Sequence, residues 1–211
     1  MTFSLTIILI LVNVAASIYA FQNEAVMRRW MLNPYTISRR NEYWRFITSG
    51  FIHADWGHLI FNMISLYFFG DIVERTLAAL AGPDMAKIMY LALYLLGIII
   101  SDLPTFFQHR NDPGYNSLGA SGGVSSVVFA GIVFYPLAPI YIFFIPIGIP
   151  GFIFGFLYLA YSYYEARRGA GYVNHSAHLW GAMFGVLFVV LLVPDVVPAF
   201  IEQIRSYRGP F

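Results

Sequence analysis

Residues 119–134 read Gly119-Ala120-Ser121-Gly122-Gly123-Val124-Ser125-Ser126-Val127-Val128-Phe129-Ala130-Gly131-Ile132-Val133-Phe134, an apolar segment whose first turn carries almost no side-chain bulk. In lipid, helices associate through close packing, and small residues at the contact let two backbones approach. His178 stands near the start of another apolar segment, with Gly181 and Gly185 following on roughly the same helix face. The two glycine faces suit each other, so the spacing predicts two packed helices whose polar starts lie together.

The rest of the chain agrees with a membrane solvent. Of 211 residues, 59% are hydrophobic, 18% aromatic and only 11% charged, and the mean hydropathy is +0.67. Soluble domains carry roughly twice that charge. At roughly 20 apolar residues per spanning helix, about five to seven spans fit the length. The expectation is one all-α membrane domain over residues 1–211. A net charge of +1 with scattered Lys and Arg argues against nucleic acid as a partner. The absence of cysteine excludes disulfides and a thiol nucleophile, so covalent chemistry falls to oxygen or nitrogen.

Six spans are expected. The first, Phe3 to Phe21, lacks a basic start and a small-residue cleavage site and reads as an uncleaved helix. Gln22 to Asp55 mixes charges, aromatics and Pro34, and reads as a structured, partly embedded loop. Spans then follow over Trp56–Leu77, Met85–Phe107, Gly119 to before Pro136, Gly151–Ala166 and Asn174–Val193. Gly82-Pro83-Asp84 forms the turn between the second and third. Leu137 to Pro150, broken by Pro139, Pro146 and Pro150, reads as an extended connection, and Gly169 to Tyr172 as part of a short loop. Orientation stays open: with both termini inside, only Arg75, Lys87, Arg205 and Arg208 lie on that side, against the positive-inside tendency. The compact chain without a presequence points to a bacterial inner membrane.

The chemistry begins at Ser121, whose hydroxyl sits at a helix start beside free amides and the positive end of the helix dipole, a place that favours a developing anion. Alone, such a serine also suits ordinary packing. His178 is an ionisable group at membrane depth, which is costly and calls for a partner. Brought to Ser121 it is a candidate general base; alone it also suits a half-wet packing position. His58 and Asn62, four apart, share one face and offer N–H donors for an oxyanion, or simply an interhelical hydrogen bond. His53 is a further donor or a loop cap. No Asp is spaced to complete a triad, so a Ser121–His178 dyad is the simpler arrangement.

With these residues in order, the chain resembles a rhomboid intramembrane serine protease. Gly119-Ala120-Ser121-Gly122 matches the nucleophile motif, and Ala177-His178-Leu179-Trp180-Gly181 with Gly185 the base motif. Trp44-Arg45, His53, His58, Asn62 and Glu74-Arg75 match signatures earlier in the chain. The resemblance implies a six-helix rhomboid bundle and a Ser121–His178 dyad. It also implies an oxyanion site from His58, Asn62 and the Ser121 amide, beside Gly119, with His53 as an additional candidate. It implies no cofactor, a cavity open to water, and substrates that are transmembrane helices entering between the second and fifth helices. Phe152, Phe154 and Phe156 would line that entrance. One departure stands out: Ser125 occupies the place, four residues after the nucleophile, where many members carry an aromatic that stacks on the base. Another group must orient His178.

Three other readings compete. A noncatalytic relative would bind transmembrane clients without cutting them. A channel would line a path with His53, His58, His175 and His178. A metalloprotease would share a metal among His175, His178 and His58, yet the chain has no His-Glu-x-x-His motif.

Overall fold

Asp55 and Gly82 bracket one of the two long helices of the molecule. The Asp55 carboxylate accepts a hydrogen bond from the His58 amide at 2.8 Å and so starts α5 (Trp56–Ala81). Gly82, at φ +80°, stops it. Pro83 then opens α6 (Pro83–His109) at the one helical position where its missing N–H costs nothing. The expected three-residue turn therefore shrinks to a single residue, and both helices run longer than expected. Pro104 lies inside α6 without ending it.

The computed structural model describes residues 4–141, 147–168 and 173–209. Phe3 of the expected first helix, Pro146 of the extended connection and Gly169 to Tyr172 of the short loop lie outside the described residues. Before α5 come α1 (Leu5–Phe21), three short helices, α2 (Glu24–Trp30), α3 (Pro34–Arg40) and α4 (Arg45–Thr48), and a 3₁₀ turn over Ser49–Phe51. After α6 come α7 (Ser121–Phe134), α8 (Gly151–Arg168), α9 (His175–Leu192) and α10 (Val196–Ser206). The expected extended connection contains a small antiparallel ribbon, β1 (Pro139–Ile140) on β2 (Ile149–Pro150). Three of the described helices, α5, α6 and α9, are long and apolar enough to cross a membrane, while α1 and α7 are apolar but shorter.

The short helix α7 is the axis of the bundle, buried along almost its whole length. A Cβ at Gly181 or Gly185 would overlap the carbonyl oxygens of Gly122 and Ser126, so α9 lies backbone to backbone on α7. Ser126 ties the two by donating to the carbonyls of Gly122 and Gly181, both at 2.9 Å. Gly97 of α6 meets Ser126 and Gly123 from another side. At the far end, Gln203 of α10 donates to the Phe134 carbonyl at 3.3 Å and so caps α7.

Helix α1 is anchored through its own start. The Glu74 carboxylate accepts from the Ser4 hydroxyl at 2.7 Å, the Leu5 and Thr6 amides at 2.7 and 3.0 Å, and the Thr6 hydroxyl at 2.9 Å. An acidic group placed there also complements the helix dipole. Asn13 reaches Tyr94 of α6 at 2.9 Å.

The first loop is structured, as expected. Asn23 and Asn33 cap α2 and α3 by accepting from the Val26 and Thr36 amides at 3.1 and 2.7 Å. Leu32, Ile37 and Phe46 form a small core of their own against Ile99 and Phe106 of α6. Arg45 pairs with Glu42 at 2.7 Å, donates to the Met31 and Arg28 carbonyls, and lies over the Trp44 ring. This arginine is a structural brace.

Candidate active site

The site forms where α5, α7 and α9 all begin. The sequence -Leu118-Gly119-Ala120- delivers Ser121 to the first position of α7, and the first loop holds those residues from three points. Leu32 and Ser117 exchange backbone hydrogen bonds at 2.9 and 3.0 Å. The Gly119 amide donates to the Ser49 carbonyl at 2.9 Å. The Ala120 amide donates to His53 Nε2 at a longer 3.5 Å.

Gly119 has two reasons to be glycine. Its φ is +127°, and a Cβ there would run into the His58 imidazole, which packs closely against this stretch of backbone. His58 is half-buried in the first turn of α5, and its ring meets that of His53 at 5.0 Å and 76°. Asn62, one turn on and buried, donates through Nδ2 to the His58 carbonyl at 2.9 Å. His53, His58 and Gly119 therefore meet just before Ser121, with Asn62 one turn further along α5.

His53 is fully buried, and both ring nitrogens are engaged. The Ser17 hydroxyl donates to the Phe51 carbonyl at 3.3 Å and lies 2.9 Å from His53 Nδ1. Burial, with a smaller push from neighbouring His58, takes the His53 imidazole down to about 3 and keeps it neutral.

His178 lies in the first turn of α9, brought to the Ser121 end of α7 by the Gly181–Gly122 contact three residues on. Asn174 fixes that turn. Its side chain accepts from the Ala177 amide at 3.1 Å, exchanges hydrogen bonds with Thr105 of α6 at 3.0 and 3.2 Å, and donates to Ser117 at 3.2 Å. No hydrogen bond joins Ser121 to His178 among the described residues. The two residues stand at the starts of adjacent helices that touch through Gly122 and Gly181.

Three contributors escape the sequence reading: Asn174, Ser17 and Tyr158. The Tyr158 ring of α8 lies beside the His178 imidazole at 6.2 Å and 20°, and its hydroxyl is 2.8 Å from the Ser125 hydroxyl. The only hint in the sequence was the serine at position 125. Among the described residues no three His, Asp or Glu side chains are grouped to hold a metal ion. The Phe residues of the expected entrance do not act alike. Phe156 is 73% exposed, Phe154 packs inward with Tyr158, and Phe152 meets Tyr207.

Residues 40–195 match the family model described as Rhomboid domain. The chain is similar to RHOMBOID-like protein 12, mitochondrial, of Arabidopsis thaliana, at 32% identity over 74% of this chain and 49% of that protein. It is 28% identical to Rhomboid-related protein 1 of Caenorhabditis elegans over 80% of this chain and 45% of the relative. It is also 28% identical to Rhomboid protease GlpG of Klebsiella pneumoniae over 48% of this chain and 31% of that protein. The chain thus spans about half the length, or less, of these relatives. A plant mitochondrial, a nematode and a bacterial relative single out no compartment, so the expected bacterial inner membrane gains no support. The match and the apolar helices make the chain an integral membrane protein.

Proposed function

The chain belongs to the rhomboid family, and on that premise we propose that it is an intramembrane serine endopeptidase acting on transmembrane segments of membrane proteins. Its six crossing helices are α1, α5, α6, α7, α8 and α9, in one domain. The observation that carries this reading is the backbone contact of Gly181 on Gly122, which holds the starts of α7 and α9 side by side.

In this reading Ser121 Oγ attacks the scissile carbonyl while His178 takes its proton. The oxyanion is held by the Ser121 amide, the His58 N–H and the Asn62 side-chain amide. His178 then returns the proton to the leaving amine, and water admitted from the polar ends of the helices hydrolyses the acyl-enzyme. His53 acts as a prop beneath Ala120, since its Nε2 already accepts that amide. The unpaired Ser121 and His178 are read as a resting state that tightens when substrate fills the site, as catalytic hydrogen bonds commonly do.

The test is labelling of the purified protein with a fluorophosphonate. Wild type labels, while Ser121→Ala and His178→Ala lose labelling with their thermal stability kept. Labelling that survives Ser121→Ala ends the serine mechanism. A second reading, a noncatalytic binder of transmembrane clients, is favoured by the missing Ser121–His178 hydrogen bond. Folded wild-type protein that does not label would turn the assignment to it.

A further inference from the structure

The His178 imidazole has no hydrogen bond to its ring nitrogens among the described residues, so its orientation is left to the rings around it. Two are in reach. His175, on the same helix, meets it edge-on at 5.6 Å and 76°. Tyr158, from α8, lies nearly parallel to it at 6.2 Å and 20°, within the range of offset aromatic stacking.

Tyr158 is itself fixed. Its hydroxyl is 2.8 Å from Ser125 Oγ, a buried group one turn after Ser121 on α7. Phe129 of the same helix and Phe154 of α8 hold its ring at 5.4 and 5.9 Å. A relay thus runs from the helix of the serine, through Ser125 and Tyr158, to the histidine.

The relay passes through the more loosely seated helix. Where α9 meets α7 backbone to backbone along its length, α8 is tied to backbone only at its start, Gly151 and Phe152 donating to the Ala138 and Pro136 carbonyls. Beyond that its inner face rests on side chains, with Gly155 only in ordinary contact with Phe129 and Ile132. Its interface also buries Ser162 Oγ and His175 Nδ1 without hydrogen-bond partners. Unpaired buried groups of this kind lower the cost of parting two surfaces.

We propose that Tyr158 is the residue that positions His178 for proton transfer, that Ser125 holds it there, and that the base is aligned only while α8 is docked. The proposal rests on the Ser121–His178 reading above.

The experiment measures the maximal fluorophosphonate labelling rate of the full chain against pH. In parallel, the ring resonances of ¹³C-histidine-labelled protein are recorded, with His178 assigned by His178→Gln. Tyr158→Leu is expected to slow labelling about tenfold or more, as small misplacements of catalytic groups do, and to remove the ring-current shift of His178. Tyr158→Phe and Ser125→Ala each cost about threefold, and the double variant costs no more than either, because both remove one hydrogen bond. This cycle decides the matter even if Tyr158→Leu does not fold. Wild-type labelling with Tyr158→Leu unchanged in rate and shift overturns the proposal and leaves the serine reading standing. So do additive losses in the double variant. Folded wild type that never labels overturns the serine reading, and the proposal with it.

Discussion

The hydroxyl of Ser17 decides which nitrogen of His53 carries the proton. It gives its own hydrogen to the Phe51 carbonyl, so toward His53 it offers a lone pair, and Nδ1 must donate. Nε2 is then the acceptor that the Ala120 amide needs. A protonated ring would break this arrangement, and burial, with a smaller push from His58, already takes the His53 value down to about 3. The sign follows: below the ordinary histidine value near ~6.5 the unfolded chain takes up a proton that the folded chain refuses. Stability is therefore full above that value and drains as pH falls toward the folded one. The loss on going from about pH 7 to about pH 5 should be about 2 kcal/mol. Thermal unfolding of wild type and His53→Gln across that interval checks it, because wild type should lose about that much more than the variant. At this scale the sequence was informative where local spacing fixes geometry. Gly119, Ser121, His58 and Asn62 announce themselves by position on a turn. Tyr158 and Asn174 do not, because their partners come from other helices and no spacing connects them.

Among elements, the first loop and α9 do the positioning. The loop is not a passive connection, since Leu32, Ser49 and His53 take the backbone groups of Ser117, Gly119 and Ala120 and hold the serine turn from the side. Helix α9 is set by its glycines. At Gly181 the neighbour is backbone, which cannot rotate aside, so Gly181→Ala should cost about 1–3 kcal/mol and also slow labelling by moving His178. Thermal unfolding and labelling measured together check this; a stable, fully active variant would mean that α9 does not need that contact. The apolar helices and the glycine match of α7 and α9 were legible because period and residue size carry them. The ends of α5 and α6 ran past expectation because a single glycine with a proline at the next helical start needs less chain than a turn. The ribbon of β1 and β2 and the amphipathic α10 were not foreseen; one is made by pairing across a gap, the other by a carbonyl at the foot of α7 that needed a donor.

For the whole molecule, the length of α7 has a consequence for the lipid around it. Fourteen residues make a rod of about 21 Å, against about 30 Å of hydrocarbon in an ordinary bilayer. Because α5 and α9 begin level with α7 at the serine end, and α9 adds only about 27 Å, the protein is shorter than its solvent on this side. Lipid must pinch in beside α9 or else bathe Ser121 and His178 in acyl chains, where water would have to be drawn down to them. Vesicles of short-chain phosphatidylcholine should therefore support faster fluorophosphonate labelling than long-chain ones, with Tyr158→Phe showing the same trend. Equal rates in both would mean that water reaches the serine by a path the bilayer does not govern. On the proposed serine reading, a short central helix would make the thickness of the surrounding membrane a control on the chemistry at its end.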